Sequence, residues 1–446
     1  MRKTLYLVGG LGKTGFSIAR YLQRRNKPFM VFDTRSQVEE LREFKVLFPE
    51  VDVFLHDFPQ TMYSKLKAVI TSPGISLDEP FLQGARELAI PIYGDIECFA
   101  KEVRAPVIAI TGTNGKSTVT ALVGEMVKKA GFKVAVAGNI GEPVLEKLHD
   151  DDHYEFWVLE LSSFQLELTY SLAPKAAALL NVTPDHLDRH HTMAAYIEAK
   201  QRVYQGGQTL IYNRQDPHTL PQQGASKVPW VSYGFDEPAS GEWGIQEKAG
   251  VLYLAQGHNC LLPVEQVRIK GKHNWQNALA ACALASASGI SNEAIVAVLT
   301  EFEGLPHRCQ WVRTLDGVEW INDSKGTNVG ATESAIAGIG DFIQGKIVLI
   351  AGGLGKGADF TGLRQPISEY VRWLVLIGQD ADKLAHDLMG AAPVVHADSL
   401  EDAVLQARAH AKLGDVVLLS PACASFDMFR DFNHRGEVFM NLVSAL

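Results

Sequence analysis

The chain has 446 residues, 46% of them hydrophobic and 21% charged, with a formal net charge of −9 from 42 Lys+Arg against 51 Asp+Glu. That length exceeds one compact core and points to three domains, at roughly 100–200 residues each. The hydrophobic content excludes extensive disorder, and the acidic balance excludes a dedicated nucleic-acid binder, which carries a basic face.

Cys98, Cys260, Cys282, Cys309 and Cys423 are scattered and form no CxxC pair. Neither a disulfide framework nor a zinc ribbon is expected, and a reducing compartment fits. The start of the chain lacks an apolar leader with a small-residue cleavage site, and no apolar run approaches the roughly 20 residues of a membrane helix. A soluble, cytoplasmic protein without membrane insertion is expected.

Leu5–Val8, Met30–Phe32, Val51–Leu55 and Ala68–Thr71 read as strands, and Gly15–Arg25 has helical spacing. This is the βαβ rhythm of a parallel sheet. Gly10-Leu11-Gly12-Lys13-Thr14-Gly15 forms a G-x-G-x-x-G loop after the first strand, and Asp33 follows about 20 residues later. By itself the pair suggests a dinucleotide site with Asp33 on a ribose hydroxyl, although the same turn suits any diphosphate or plain strand–helix packing.

The pattern resets near Pro91–Pro106. Val107–Thr111 reads as a strand, followed by Gly112-Thr113-Asn114-Gly115-Lys116-Ser117-Thr118 and a helix Ser117–Ala130. Strand, Gly-rich turn and helix make a phosphate loop. Its N–H groups and helix N-terminus attract anions, Lys116 reaches β/γ-phosphates, and the Ser117 hydroxyl suits Mg²⁺. The match to G-x-x-x-x-G-K-[ST] is imperfect, because Ile110 occupies the first glycine position.

Val134–Ala137, Phe156–Glu160 and Ala176–Asn181 continue as strands. Glu160 ends one of them, where ligands bind in α/β sheets, and a carboxylate there needs water, a cation or a metal. Mg²⁺ is the natural ion beside a phosphate loop. His186, in Asn181-Val182-Thr183-Pro184-Asp185-His186-Leu187-Asp188, is either structural or a metal ligand. Lys200 lies in the helix Met193–Tyr204. Its ammonium would repel Mg²⁺, whereas carbamylation by CO₂ would make it an anionic oxygen donor.

Residues 213–270 are turn-rich with shorter strands such as Gly250–Leu254, and read as an elaboration of the central domain. A helix Asn274–Ser288 follows. Its first turn holds Asn274 and Asn277, which suit an adenine or merely the helix cap. A second reset falls near Gly304–Gln310, where Arg308 is placed to clamp a phosphate. Val318–Asn322, Lys346–Ala351, Trp373–Ile377 and Asp415–Leu419 are again strand-like. Three polar loops follow strand ends, at Asn322–Asn328, Gly352–Gly357 and Leu419–Asp427, and suit a binding surface.

Taken in order, GTNGKST, LELSSFQLE, NVTPDHLDRH, Lys200, HNWQNALAA, GLPHR and NDSKGTN resemble the Mur ligase family along essentially the whole chain. The N-terminal VGGLGKTG with Asp33-Thr34-Arg35, the TSPGI at 71–75 and the terminal SPACASFDMFRDF resemble its D-glutamate-adding members most closely. The resemblance implies three consecutive α/β domains. These are an N-terminal Rossmann-like domain at 1–94 for a UDP-sugar, a central P-loop ATPase-like domain at 95–304 and a C-terminal Rossmann-like domain at 305–446 for the amino acid.

It also implies an ADP-forming amide ligase of peptidoglycan synthesis. ATP phosphorylates the carboxylate of UDP-N-acetylmuramoyl-L-alanine, and D-glutamate attacks the acyl phosphate. By resemblance, Ser117 and Glu160 hold one Mg²⁺, while His186 and carbamylated Lys200 hold a second. Lys116, His186, Lys200 and Lys325 are the implied catalytic residues. Gly112, Thr113, Asn114, Gly115, Lys116, Ser117, Thr118, Asn274, Asn277, Arg308 and Asp323 match ATP contacts. Lys13, Thr14, Asp33, Thr34, Arg35, Ser72, Pro73, Gly74 and Asn139 match UDP-substrate contacts. Thr327, Lys356, Ser425, Phe426 and Phe432 match D-glutamate contacts.

Lys13 and Phe426 depart from the family pattern, which has Leu at both positions. The D-N-P-R motif of the diaminopimelate- or lysine-adding relatives and the G-T-H-G-K loop of the alanine-adding relatives are absent. A monomer is expected, with domain closure because the nucleotide contacts fall on two domains. An NAD-dependent oxidoreductase would leave GTNGKST, Glu160 and His186 without a role, and a nucleotide switch would bind ATP without making an amide.

Overall fold

The computed structural model describes residues 4–148, 153–222, 228–269, 271–340 and 343–446. The first three residues, and residues 223–227 and 270 of the turn-rich stretch, lie outside the described residues. Three sheets follow one another along the chain.

The first contains β1 (Leu5–Gly9), β2 (Phe29–Asp33), β3 (Val53–Leu55), β4 (Leu66–Thr71) and β5 (Ile92–Tyr93), in the order β3-β2-β1-β4-β5. All its pairings are parallel. The crossover helix Lys13–Arg24 buries Phe16, Ile18, Ala19 and Leu22, the periodic apolar stripe that the sequence carries. Gly15 lies directly against the turn that precedes this helix. A Cβ there would come 1.8 Å from the Gly10 carbonyl oxygen, so only glycine fits.

The second sheet has nine strands. They are β6 (Val107–Thr111), β7 (Val134–Gly138), β8 (Phe156–Glu160), β9 (Ala176–Leu179), β10 (Leu210–Asn213), β11 (Trp230–Tyr233), β12 (Trp243–Lys248), β13 (Val251–Gln256) and β14 (Asn259–Pro263). Their order is β14-β13-β12-β11-β10-β9-β6-β8-β7. The parallel half is apolar on both faces, because helices cover it on both sides. The turn-rich stretch extends this sheet, as its reading as an elaboration requires. It ends in an antiparallel pairing that sets Trp243 opposite Gln256 and Lys248 opposite Val251.

The third sheet contains β15 (Gln310–Leu315), β16 (Val318–Asn322), β17 (Ile347–Gly352), β18 (Val371–Ile377), β19 (Val394–His396) and β20 (Val416–Leu419), ordered β15-β16-β20-β17-β18-β19. Only β15 runs antiparallel to its neighbour.

The three sheets form two compact units. Residues 1–182, 186–261 and 279–298 make one, and residues 183–185, 262–278 and 299–446 make the other. The first two sheets share a continuous apolar core that includes Phe16, Phe44, Ile96, Phe99, Trp157 and Leu210. Phe99, from the short helix Asp95–Ala100, meets Trp157 of β8 edge to face at 4.7 Å. The third sheet has its own cores, one on each face.

Candidate active site

Strand register creates the central part of the site. Gly138 pairs with Glu160, and Glu160 with Ile110, while Thr111 pairs with Leu179. The carboxyl ends of β7, β8, β6 and β9 therefore align, and the loops that follow them gather at one edge.

The loop after β6 enters the helix Lys116–Lys129 through Gly115, whose φ of 81° is left-handed. Asn181, just past β9, pins this loop. Its Oδ1 accepts the Asn114 N–H at 2.8 Å, its Nδ2 donates to the Asn114 carbonyl at 3.1 Å, and its own carbonyl accepts the Thr113 N–H at 2.9 Å. Thr113 Oγ1 lies 3.2 Å from the Tyr196 hydroxyl. Ser117 and Thr118 are buried in the first turn of the helix. Lys116 folds back, donating from Nζ to the Gly112 and Thr113 carbonyls at 2.8 Å each.

Lys200, in the helix Met193–Gln201, reaches the same place. It is 2% exposed, and its Nζ also donates to the Gly112 carbonyl at 2.8 Å while lying 4.7 Å from the Tyr196 ring centroid. Two ammonium groups thus share one acceptor oxygen.

Glu160 is 1% exposed. Asn139 Nδ2 donates to its Oε1 at 2.7 Å, and its Oε2 is buried without a hydrogen-bond partner. An orphaned hard anionic oxygen beside a phosphate loop fits Mg²⁺. The turn after Glu160 is rigid, because Ser162 and Gln165 form a reciprocal capping box. Phe164, inside that turn, meets the His186 ring edge-on at 4.9 Å. His186 is exposed, with a left-handed φ of 54°. Among the described residues no cluster of three His, Cys, Asp or Glu forms, so a cation here would also use hydroxyl and water oxygens.

His190 and Arg189 join this group without having been singled out in the sequence. His190 Nε2 lies 2.9 Å from Ser163 Oγ, and its ring stacks on Phe164. Burial first, then the neighbouring Arg189, His186 and Lys200 charges, push its pKa down to about 4, so it is neutral at pH 7. Arg189 donates to the Ile75 carbonyl at 2.9 Å and packs over Phe164. Arg189 ties the loop that holds Ser72, Pro73 and Gly74 to the His186 turn, and His190 ties that turn to Ser163 and Phe164. Only their presence in the stretch Asp188-Arg189-His190 hinted at it.

Around the first sheet, Lys13 Nζ donates to the Gly141 carbonyl at 2.9 Å, linking its loop to the one that carries Asn139. Ser72 N–H donates to the Gly9 carbonyl at 2.8 Å, so the 72–74 loop lies beside the glycine loop. Thr14 lies in the first turn of the helix there, and Thr34 lies between the paired Asp33 and Arg35. Asp33 is 3% exposed and fully engaged. It accepts from Leu11 N–H, Arg35 N–H and two Arg35 guanidinium nitrogens, at 2.8–3.0 Å. Burial acts to raise its pKa, but these donors outweigh it and hold the group below its ordinary value. With both oxygens accepting from Leu11 and Arg35, Asp33 shapes the loop and orients Arg35.

The second unit carries the remaining residues. Asn277 Nδ2 donates to Asn274 Oδ1 at 3.2 Å at the start of the helix Lys272–Ala287. Asp323 follows β16 and accepts from Ser420 Oγ at 2.7 Å and Cys309 N–H at 3.1 Å. Burial drives its pKa up to about 6 against those bonds and the nearby Arg308 charge. Paired backbone bonds between Leu354 and Ala424 hold the Lys356 loop beside Ser425 and Phe426. Lys356 Nζ lies 5.9 Å from the Phe426 ring, which is 65% exposed. The Gly326 carbonyl accepts the Ala422 N–H at 2.9 Å, bringing the Thr327 loop to the same end of the sheet. Lys325 Nζ sits 3.7 Å from the Phe432 ring centroid.

Three family models match in succession. They are the Mur ligase MurD-like N-terminal domain over residues 4–94, the Mur ligase middle domain over 110–285 and the Mur ligase glutamate ligase domain over 307–423. The UDP-N-acetylmuramoylalanine–D-glutamate ligase of Legionella pneumophila (strain Lens) is 63% identical over 447 residues, covering 100% of both chains. Its namesake in Pseudomonas aeruginosa is 47% identical over 440 residues, covering 99% of this chain and 98% of the relative. Among solved structures, the MurF ligase of Thermotoga maritima in complex with ADP superposes with a TM-score of 0.63 at 16% identity, over 99% of this chain and 95% of that one. The UDP-N-acetylmuramate–alanine ligase MurC of the same organism gives 0.59 at 17%, over 100% of both. At such identities the two structures support the three-domain fold alone.

Proposed function

The chain belongs to the Mur ligase family, and from that premise we propose that it joins D-glutamate to UDP-N-acetylmuramoyl-L-alanine, with ATP converted to ADP and phosphate, in peptidoglycan precursor synthesis. The observation that carries this reading is the 63% identity to a relative of that name along the full length of both chains. The domain boundaries that go with it are 1–94, 95–304 and 305–446, one domain each for UDP-substrate, ATP and amino acid. A cytoplasmic monomer completes the reading. It fits the five free cysteines and the absence, among the described residues, of any helix long and apolar enough to cross a membrane.

In this mechanism the Gly112–Thr118 loop cradles the ATP phosphates with its N–H groups, and Lys116 swings from the loop carbonyls onto the transferring phosphoryl group. The substrate carboxylate attacks the γ-phosphorus, the bond to the ADP oxygen breaks, and an acyl phosphate forms. The D-glutamate amine then adds to the acyl carbon, losing a proton, and the tetrahedral adduct expels phosphate. Lys325 steadies the phosphoryl oxygens through both steps.

Ser117, Glu160, His186 and a carbamylated Lys200 are the residues that would hold Mg²⁺, which when bound supplies charge neutralisation for the phosphoryl oxygens. Asn139 orients Glu160. Asn274 and Asn277 serve the adenine, and Arg308 and Asp323 the rest of the nucleotide. Lys13, Thr14, Asp33, Thr34, Arg35, Ser72, Pro73, Gly74 and Asn139 surround the UDP-substrate, with Asp33 also holding Arg35. Lys356, Thr327, Ser425, Phe426 and Phe432 surround the two carboxylates of D-glutamate.

An ADP-release assay with the UDP-sugar acceptor and a panel of amino acids tests this function. Release is expected with D-glutamate and to need both substrates. Release with another amino acid in preference to D-glutamate, or without the acceptor, overturns it.

A further inference from the structure

We infer that Phe432 is a positioning residue whose ring face holds the Lys325 ammonium in place for phosphoryl transfer. The inference rests on the reading of Lys325 as a phosphate-handling lysine, and goes beyond it by naming what fixes that flexible side chain.

Several independent contacts build the arrangement. Lys325 follows β16 in a loop, where a four-carbon stem has many rotamers to lose. Its backbone is tied down, since its N–H donates to the His307 carbonyl at 3.1 Å. Phe432 is the first residue of the helix Phe432–Ala445, whose entry is capped by Asp431 accepting the His434 N–H. The two segments are 107 residues apart in sequence, and a buried arginine joins them. Arg435 is 1% exposed. It donates from Nε to Ser324 Oγ at 3.0 Å and from Nη2 to the Ser324 and Cys423 carbonyls at 2.9 and 3.1 Å. Ser324 Oγ in turn donates to the Phe432 carbonyl at 2.8 Å. Lys325's neighbour is thus fastened to the helix that begins with Phe432.

The result is an ammonium 3.7 Å from a phenyl centroid, well inside the roughly 6 Å over which the negative ring face attracts a cation. The His307 ring stands edge-on to Phe432 at 6.4 Å. An aromatic ring suits this task better than a carboxylate would. A ring face attracts an ammonium without accepting its proton or cancelling its charge.

A ring that merely packs against bound D-glutamate would act through its volume and would affect only steps that need the amino acid. A ring that holds Lys325 would act through its quadrupole, and would already matter when the acyl phosphate forms. Replacing Phe432 by mono-, di- and trifluorinated phenylalanines keeps the shape and drains the ring face of negative charge. Acyl-phosphate formation, followed in single turnovers without D-glutamate by hydroxylamine trapping, is expected to slow at each step, by on the order of tenfold across the series. Phe432→Leu should match the trifluorinated ring.

A flat series, in an enzyme whose Lys325→Met variant has lost acyl-phosphate formation, overturns the inference and leaves the reading of Lys325 standing. Full acyl-phosphate formation in Lys325→Met overturns both. A loss confined to the KM for D-glutamate assigns the ring to the amino acid and also overturns the inference.

Discussion

Lys116 and Lys200 donate to one carbonyl oxygen, that of Gly112, and Lys200 does so with 2% of its surface exposed. Two like charges at one acceptor in a poorly solvated place repel, and the arrangement favours losing one of them. Carbamylation does so. Neutral Nζ bonds to the carbon of CO₂ and gives up a proton, replacing a cation with a carbamate whose single negative charge is shared by two oxygens. With ¹³C-labelled CO₂, a carbamate carbon signal is expected that is absent in Lys200→Ala. A fully active, metal-loaded enzyme without that signal would count against the modification. Lys116 carries the opposite expectation, because its charge is needed. Lys116→Ala should reduce glutamate-dependent ADP release by about 10²–10³-fold, with the melting curve near that of the unchanged protein. Near-normal turnover would reject its role at the phosphates.

At the scale of elements, Asp415 staples the third sheet. It precedes β20 and accepts from Arg372 Nε and Nη2 in β18, from the Lys346 N–H before β17 and from the Lys412 N–H. Burial acts to raise its pKa, but Arg372 and the two N–H donors prevail, and the group lies below its ordinary 3.8. A depressed carboxylate contributes stability above its unfolded pKa and loses that contribution as pH falls through the folded value. Asp415→Asn should therefore cost about 2–3 kcal/mol in urea unfolding at pH 7, with the difference from the unchanged protein shrinking below about pH 4. A difference that stays constant down to pH 2 would refute the staple.

The central parallel strands Val107–Thr111 and Phe156–Glu160 were legible because they are fully buried, apolar runs. The parallel strands Ile92–Tyr93, Leu210–Asn213, Trp230–Tyr233 and Val394–His396 were missed, being only two to four residues long. Val107–Thr111, Phe156–Glu160 and Val318–Asn322 appear with the bounds read from sequence. Of the hairpin β12–β13, the second strand was read as Gly250–Leu254 and lies at Val251–Gln256, whereas Trp243–Lys248 was missed, since it mixes polar and apolar residues at a sheet margin. The phosphate loop was visible as a local motif. The Asn181 clasp on Asn114, the Asp33–Leu11 bond and the Lys325–Phe432 contact were not, because each joins residues 22 to 107 positions apart and local spacing carries no sign of such pairings.

The whole molecule contains three sheets but two compact units. Composition and motifs argued for three domains, and the family models agree. Cooperativity follows shared cores, however, and the first two sheets share one that runs from Tyr6 to Leu210, besides the core on the other face of the first sheet. Differential scanning calorimetry should resolve at most two unfolding transitions, with the first two sheets melting together. A separate transition that Phe16→Ala lowers without moving the one that contains Trp157 would refute this. The same shared core sets an order for biosynthesis. On the ribosome, the helix carrying Phe16 emerges long before Trp157 and Leu210, at roughly 5–20 residues per second. The nascent first sheet must wait many seconds, its apolar face open to chaperones, for a partner that has yet to be translated.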